Sequence, residues 1–282
     1  MNGNFEHCAA LVREADHDRF LASLFAPEAD RNALYALYAF NAEIARVRDA
    51  VREPLTGEIR LQWWQEVLAG ERRGEEKAHP VAAALRIAVE QYGIDVQQLS
   101  ALVDAHASDF YEQPFAGLQD LEAYAEKTEA TVFAIAADVL GGRSVATSAV
   151  IRHAGISYTI AGLLRNFVRN AAHGRLYVPL DLMLRHGAAP QKALGGERSD
   201  ELRMAIGELR IYAQNHLDAA RADFPVLQES TLPAILPVAS VRPLLMRLER
   251  IADDPFRLAP APRWQRQWRM WRAAHKPGRI FE

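Results

Sequence analysis

Cysteine is nearly absent from this sequence, since Cys8 is the one cysteine among 282 residues. A single cysteine excludes internal disulfides and every metal centre that needs several thiolates, and it fits a reducing compartment. Strong net charge is also lacking, because the formal charge is -3 and the isoelectric point is near 6.3. The class of globally basic nucleic-acid binders is therefore excluded, and any basic surface must be local.

Long uninterrupted apolar runs are missing as well. The most apolar late stretch, TLPAILPVASVRPLL, is interrupted by Pro233, Pro237 and Pro243 and falls short of the roughly 20 apolar residues of a spanning helix. The first residues, MNGNFEHCAALVREAD, include acids and have neither a basic start nor an apolar core. We therefore expect no transmembrane segment, secretory signal or transit peptide, which predicts a cytoplasmic protein that is not secreted.

Helical periodicity is the dominant pattern that the sequence does contain. Apolar residues from Leu34 to Val47 recur at spacings of three and four, and Asp30 is placed to cap their start. Further helix starts are predicted at Pro80, Asp95 and Asp120, and further helical runs over about 147–172, 198–221 and 232–251. Strand-like alternation is scarce and no linker or repeat divides the chain, so we expect one all-α domain over 1–282.

One internal stretch, GLLRNFVRNAAHGRLYVP over 162–179, contains three arginines and no carboxylate. Asn166 and Asn170 are four residues apart, which places them on one face of a helix, and Arg165 and Arg169 flank them. Taken alone, such a polar face is more often a solvated surface than a site.

Several ordered motifs resemble the squalene/phytoene synthase family, whose members are all-α isoprenoid synthases that join two prenyl diphosphates. The resemblance extends from about Asp18 to the last helix and is carried by ALYALYAF, LQWWQEVL, HPVAAAL and LLRNFVRNAAHGRLYVPLD. It implies a single-domain, isoprenoid-synthase-like helical bundle around a central cavity.

In that family, carboxylates on two facing helices hold Mg²⁺ ions that offset the charge of the departing diphosphate. The positions where the family pattern has these carboxylates, the six motif positions, are here Ala45, Arg46, Asp49, Asn166, Arg169 and Asn170. Only Asp49 is an acid, and the six formal charges sum to +1. Because arginine repels Mg²⁺ and a neutral amide does not replace a carboxylate charge, we expect no metal, no cofactor and no catalytic residue.

The resemblance also implies that a relic of the diphosphate pocket persists. Its predicted members, the relic-pocket residues, are Arg46, Asp49, Arg165, Asn166, Arg169, Asn170, Arg175 and Tyr177. Guanidinium groups match phosphate oxygens well, so such a pocket would bind an anionic lipid or a prenyl diphosphate. The alternative is that Arg46 and Arg169 pair with acids, of which Glu43, one turn from Arg46, is an example.

Within the family, FNAEIARVRDAV followed by GEIRLQWW resembles the branch whose mitochondrial members assist the assembly of respiratory complex I. This branch implies a non-catalytic assembly or scaffolding factor, with respiratory-complex subunits or assembly proteins as partners and peripheral contact at the inner membrane. Two alternatives stay open: an active, Mg²⁺-dependent prenyl transferase of squalene or phytoene synthase type, and an isoprenoid- or phospholipid-binding protein.

The C-terminal stretch PRWQRQWRMWRAAHK predicts a helix with an aromatic stripe. At about 100° per residue, Trp264, Trp268 and Trp271 share one face, with arginines around the rest. An aromatic stripe with basic flanks suits an anionic membrane surface, so the three tryptophans are membrane-docking candidates. The stripe also suits the last core helix of a bundle, which is the more frequent arrangement.

Overall fold

The computed structural model describes residues 3–51, 53–72, 74–107, 110, 115–142 and 145–282. All regular secondary structure in these residues is helical, which confirms the predicted all-α class. The α-helices are α1 (Gly3–Ala15), α2 (His17–Ser23), α3 (Glu28–Ala50), α4 (Pro54–Leu68), α5 (Pro80–Tyr92), α6 (Val96–Ala107), α7 (Leu118–Ala125), α8 (Thr131–Val139), α9 (Val145–Arg165), α10 (Phe167–Ala172), α11 (Leu180–Arg185), α12 (Pro190–Leu194), α13 (Asp200–Asp223), α14 (Leu232–Ile235), α15 (Val241–Arg250) and α16 (Arg263–His275).

Two helix starts follow the capping signals of the sequence. Before α5, the Nδ1 atom of His79 accepts a hydrogen bond from the backbone N–H of Ala82 at 3.4 Å, and Pro80 is the first helical residue. Before α6, the carboxylate of Asp95 accepts a hydrogen bond from the backbone N–H of Gln97 at 2.9 Å. The predicted starts at Pro80 and Asp95 are therefore confirmed.

Two other predicted starts are wrong by a few residues. Helix α3 begins directly after Pro27, so Asp30 lies inside its first turn and does not cap it. Helix α7 begins after Gly117, and Asp120 accepts a hydrogen bond from the Gly117 N–H at 3.1 Å from within the first turn. Acids are favoured throughout the first turn of a helix, so an acid alone does not fix where the helix begins.

Two of the three further predicted runs are interrupted in the structure. The run over 147–172 consists of α9 and α10, which meet at Asn166. The run over 232–251 consists of α14, a 3₁₀ segment (Leu236–Ser240) and α15. Pro237 lies in that 3₁₀ segment and has no N–H to donate to an α-helical hydrogen bond.

One run in the described part of the chain, Glu229–Arg250, is long and apolar enough to cross a membrane by length and composition. Its most apolar window has a mean hydropathy of 1.2, and 67% of that window is buried inside the protein. A stretch with this burial behaves as a core segment does.

The chain divides into two compact units, which are described separately. The first unit comprises Met1–Tyr111, Thr131–Thr147 and Leu227–Pro237, and the second comprises Glu112–Ala130, Ser148–Val226 and Val238–Glu282. The single domain over 1–282 stays a prediction.

Helix α3 forms the centre of the first unit and packs against α1, α5 and α8. Its periodic apolar residues Leu34, Leu37, Phe40 and Ile44 are at most 1% exposed. Cys8 on α1 is fully buried, and burial raises the pKa of its thiol to about 12, so the thiol is unreactive. The helical period of the sequence therefore locates this core correctly.

In the second unit, α13 packs against α11 and α15, and α16 packs against a terminal 3₁₀ segment (Pro277–Phe281). A π-helical segment (Glu126–Ala130) precedes α8, and α9 approaches it closely at Gly155. A Cβ atom at Gly155 would lie 2.4 Å from the Cα atom of Ala130, so this approach requires glycine.

Candidate functional site

The first three motif positions lie on the outer face of α3. Ala45, Arg46 and Asp49 are exposed, whereas Ile44 and Val47 on the same turns are buried. The buried face fixes α3 in the core of the first unit, and the three motif positions point away from that core.

A concavity of about 390 Å³ lies beside them in the first unit and is called the first pocket. Its lining residues are Glu43, Arg46, Val47, Ala50, Arg60, Trp63, Trp64 and His79. Arg46 is the only relic-pocket residue among them. The other lining residues come from α3, from α4 and from the residue before α5, so their convergence does not follow from closeness in sequence.

The polar groups of the first pocket are the guanidinium groups of Arg46 and Arg60, one carboxylate and one imidazole. The Oε2 atom of Glu43 lies 3.5 Å from the Nε2 atom of His79, and burial raises the pKa of Glu43 to about 7. Burial also lowers the pKa of His79. Among the described residues Glu43 therefore pairs with His79 and not with Arg46, so the predicted alternative pairing is wrong here.

Aromatic rings form the wall of the first pocket. Trp64 is 3% exposed, and its ring meets the Phe40 ring edge-on with centroids 4.9 Å apart. Trp63 is half-buried, and its ring centroid lies 5.0 Å from that of His79. A site with aromatic walls and a carboxyl group that is largely protonated below about pH 7 does not suit a hard cation.

The other three motif positions lie in the second unit, where α9 ends and α10 begins. Asn166 occupies the junction between Arg165 and Phe167. Asn170 is 7% exposed, whereas Arg165 and Arg169 are exposed. None of the ion pairs in the described part of the chain involves either arginine, so the predicted pairing of Arg169 with an acid is not found there.

The chain folds back on α10 directly after this group. The backbone carbonyl of Asn170 accepts a hydrogen bond from the N–H of Arg175 at 2.9 Å, and Gly174 adopts the left-handed conformation with φ 74°. The Tyr177 ring lies 6.0 Å from the Phe115 ring, and both side chains are half-buried. The glycine in the motif GRLYVP is thus required by this turn.

A second pocket of about 250 Å³ lies beside Arg165 and Asn166, within the second unit. Its lining residues are Arg165, Asn166, Ser240, Leu244, Arg247, Leu258, Ala259, Pro260, Ala261, Arg266 and Arg269. Four of them are arginines and none is an acid. Burial and the neighbouring Arg247 lower the pKa of Arg269, which indicates that the positive charges crowd one another. Such a pocket attracts anions.

Arg247 is held in this pocket by a hydrogen bond that it donates to the backbone carbonyl of Ala259. Arg247, Arg266 and Arg269 were not predicted as partners of Arg165, because they lie some 80 to 100 positions further along the chain. For Arg266 and Arg269, the absence of acids between Asp254 and Glu282 is the signal that would have drawn attention to them.

The eight relic-pocket residues are thus distributed over both units. Arg46 lines the first pocket, Arg165 and Asn166 line the second, and the remaining five line neither. A common pocket for all eight residues stays a prediction.

The residues present do not fit Mg²⁺. Asn166 and Asn170 offer neutral amide oxygens next to Arg165 and Arg169, and Asp49 is the single carboxylate among the six motif positions. In the described residues, no three His, Cys, Asp or Glu side chains converge on a point that could hold a metal ion. No step of the family's metal chemistry can therefore be derived from this donor set.

The tryptophan stripe of α16 lies on the surface of the second unit. Trp264, Trp268 and Trp271 are 65%, 53% and 46% exposed, whereas Met270 and Ala273 on the opposite side of the helix are buried. The rings of Trp268 and Trp271 stack with centroids 5.0 Å apart. The interpretation of the stripe as a core face is therefore wrong, and docking to a membrane stays a prediction.

Comparisons with known proteins give one family. The squalene/phytoene synthase family profile matches residues 12–272. The chain is 26% identical over 254 residues to human NADH dehydrogenase (ubiquinone) complex I, assembly factor 6. This alignment covers 90% of this chain and 76% of that protein. The chain is also 21% identical over 276 residues to the 15-cis-phytoene synthase of Synechococcus elongatus, in an alignment that covers 93% of this chain and 89% of that protein.

A solved structure, the squalene synthase from Alicyclobacillus acidocaldarius, superposes with a TM-score of 0.76 at 21% identity, over 90% of this chain and 96% of that chain. This similarity confirms the predicted isoprenoid-synthase-like fold. Because the family profile covers most of the sequence, the chain belongs to the squalene/phytoene synthase family. The relatives include both an assembly factor and synthases, so the motif positions must distinguish between these two functions.

Proposed function

We propose that this protein is a non-catalytic member of the squalene/phytoene synthase family that assists the assembly of a membrane respiratory complex of the complex I type. Similarity to the human complex I assembly factor over 90% of the chain supports this role. Its partners would be subunits or assembly proteins of that complex. As a cytoplasmic protein, it would bind them at the inner membrane.

The residues at the junction of α9 and α10 support the proposal that the protein is non-catalytic. Asn166 and Asn170 stand there between Arg165 and Arg169, without a carboxylate. A diphosphate leaving group needs a divalent cation to offset its developing charge, and a cation needs anionic oxygen ligands. With an arginine at one of the three positions, the local charge opposes cation binding.

The test of the non-catalytic part is a turnover assay with farnesyl or geranylgeranyl diphosphate and Mg²⁺. The purified protein should release no diphosphate above a no-protein control, while a squalene synthase assayed in parallel does. Reproducible turnover that Asp49→Ala abolishes would contradict the proposal and support the active prenyl transferase, with Mg²⁺ as its cofactor.

The assembly role is tested in the source organism. Deletion of the gene should lower the amount of fully assembled complex I-type enzyme on a native gel. Both the wild-type gene and Asp49→Asn should restore that amount, because no metal-dependent step is involved. An unchanged amount of assembled enzyme after deletion would refute the assembly role.

We also propose a second candidate function, the metal-free binding of an anionic lipid or prenyl diphosphate. The four arginines of the second pocket favour it, because guanidinium groups bind phosphate oxygens without a bridging cation. Calorimetric titration with farnesyl diphosphate tests it. Arg165→Gln with Arg269→Gln should weaken binding by about tenfold or more, since each charged hydrogen bond contributes about 1.5 to 3 kcal/mol. Unchanged affinity would refute it.

A further inference from the structure

We propose that α16 and the second pocket together form a docking site for a membrane that contains anionic phospholipids. The three tryptophans would lie at the lipid boundary, and a headgroup phosphate would bind among the arginines. This inference rests on the second candidate function for the binding of a phosphate group by the second pocket, and it adds the source of that phosphate.

The aromatic stripe of α16 is exposed to solvent. Three tryptophans between 46% and 65% exposed form one continuous face, and the ring of His275 extends it, 4.4 Å from the ring of Trp271. A large exposed aromatic face is unfavourable in water unless something covers it. Indole rings are enriched at membrane–water interfaces, where the ring lies near the headgroups.

Basic side chains follow the tryptophan stripe around α16. At about 100° per residue, Arg272 comes directly after the stripe on one side of the helix, and Arg269 and then Arg266 come next. Arg266 and Arg269 line the second pocket. One side of the helix thus passes from an aromatic face through a basic shoulder to a pocket with four arginines.

The C-terminal segment that contains α16 is strongly basic. Between Asp254 and Glu282 the chain carries six arginines and one lysine, and no acidic side chain. Each basic residue close to an anionic lipid surface adds to the attraction, so this segment complements such a surface. An amphipathic helix with tryptophans on one face and arginines on its flanks is typical of binding in the plane of the interface.

Side chains other than the tryptophan stripe anchor α16 to the second unit. Met270 and Ala273 on the inner face are buried, and the segment that follows the helix buries Ile280 and Phe281 completely. The Phe281 ring packs against the Phe224 ring with centroids 5.2 Å apart. The tryptophans are therefore available for a contact outside the fold.

The experiment is co-sedimentation of the full chain with two kinds of vesicle, one of pure phosphatidylcholine and one of equal parts phosphatidylcholine and phosphatidylglycerol. The wild type should bind the anionic vesicles more strongly, and salt should weaken this binding. Replacing Trp264, Trp268 and Trp271 by serine should lower the affinity by about a hundredfold, because three large apolar side chains lose their lipid contact. The thermal transition of this variant should stay close to that of the wild type.

A matched control removes three other exposed apolar side chains of the same unit. Leu184, Met204 and Ile211 are 63%, 50% and 51% exposed, and their replacement by serine should leave vesicle binding unchanged. Equal losses in both triple variants would refute the proposal, as would a tryptophan variant that binds like the wild type. A stripe covered by a protein partner instead would show as absent vesicle binding by the wild type, which also refutes it.

The contribution of the second pocket is tested with the double variant Arg165→Gln and Arg269→Gln. This variant should lose about tenfold in affinity for anionic vesicles and little for neutral ones. Soluble glycerol phosphate at equal phosphate concentration should compete poorly, because it has no lipid boundary to engage the tryptophans. Full competition would assign the pocket to a soluble phosphate and refute docking. The tryptophan variant should still bind farnesyl diphosphate, which separates a failure of docking from a failure of the pocket.

Discussion

The first pocket has one carboxylate, one histidine and two arginines beside its tryptophan rings, whereas the second has four arginines and no carboxylate. Both lie beside positions where the family pattern has carboxylates. In the first pocket, burial raises the pKa of Glu43 to about 7 and lowers the pKa of His79, so it disfavours the charged form of both groups. In the second pocket, burial lowers the pKa of Arg269, and the nearby positive charge of Arg247 lowers it further.

The two pockets therefore predict different responses to substitution. Part of the first pocket is formed by buried core side chains such as Trp64, so substitutions there should alter stability. The second pocket resembles an anion site, so changes there should alter binding and leave the fold nearly intact. This contrast gives three predictions about stability.

The largest effect is expected at Trp64. Trp64→Ala removes a side chain that is 3% exposed and packs on Phe40, and truncating a large buried aromatic costs about 3 to 5 kcal/mol. Trp63→Ala is the matched control, and it should cost about 1 kcal/mol because the Trp63 side chain is half-buried. Urea unfolding measures both variants. Equal costs would show that the first pocket does not have a buried wall.

A smaller effect with a pH dependence is expected at Glu43. Burial raises the pKa of Glu43 from 4.5 to about 7 in the folded state, so the folded protein holds a proton that the unfolded chain releases. The free energy of unfolding therefore falls as the pH rises from about 4.5 to about 7. Glu43→Gln removes this loss and should stabilise by about 1 to 2 kcal/mol above pH 7, after allowance for partial exposure.

The control for this prediction is the free energy of unfolding at acidic pH. Below about pH 4.5 the Glu43 carboxyl is protonated in both states, so wild type and Glu43→Gln should agree there. The lowered pKa of His79 acts in the opposite direction, since it makes stability rise as the pH rises through the unfolded value near 6.5. A variant less stable than the wild type above pH 7 would contradict the burial of Glu43.

The smallest effect is expected at Arg269. Replacement by glutamine removes repulsion from Arg247, so the stability should rise by about 0.5 kcal/mol or less, and the gain should shrink with added salt. Thermal melts at low and high ionic strength measure it. A loss of several kcal/mol would mean that Arg269 is part of the core and not of an anion site.

Much of the fold was predictable from local pattern. The spacing of Leu34, Leu37, Phe40 and Ile44 identified the buried face of α3, because burial imposes the helical period on the sequence. The boundary at Asp30 was misplaced because proline and acid compete as start signals within one turn.

The candidate site was predictable only where its residues are close in sequence. Arg165 and Asn166 belong to one motif, whereas their partners in the second pocket come from α15 and α16. For α16, periodicity identified the aromatic stripe but not the side that faces the protein. The smaller residues Met270 and Ala273 face inward, which the preference for large apolar side chains in cores does not predict.

The most direct test of the central claim, that the motif positions no longer use a metal, is farnesyl diphosphate binding measured calorimetrically with Mg²⁺ and with a chelator. The metal-free account predicts equal affinity in both, a fall with rising salt, and a further loss in Arg165→Gln with Arg269→Gln. Binding that appears only with Mg²⁺ and is lost in Asp49→Ala would contradict it, because that result requires a working metal site.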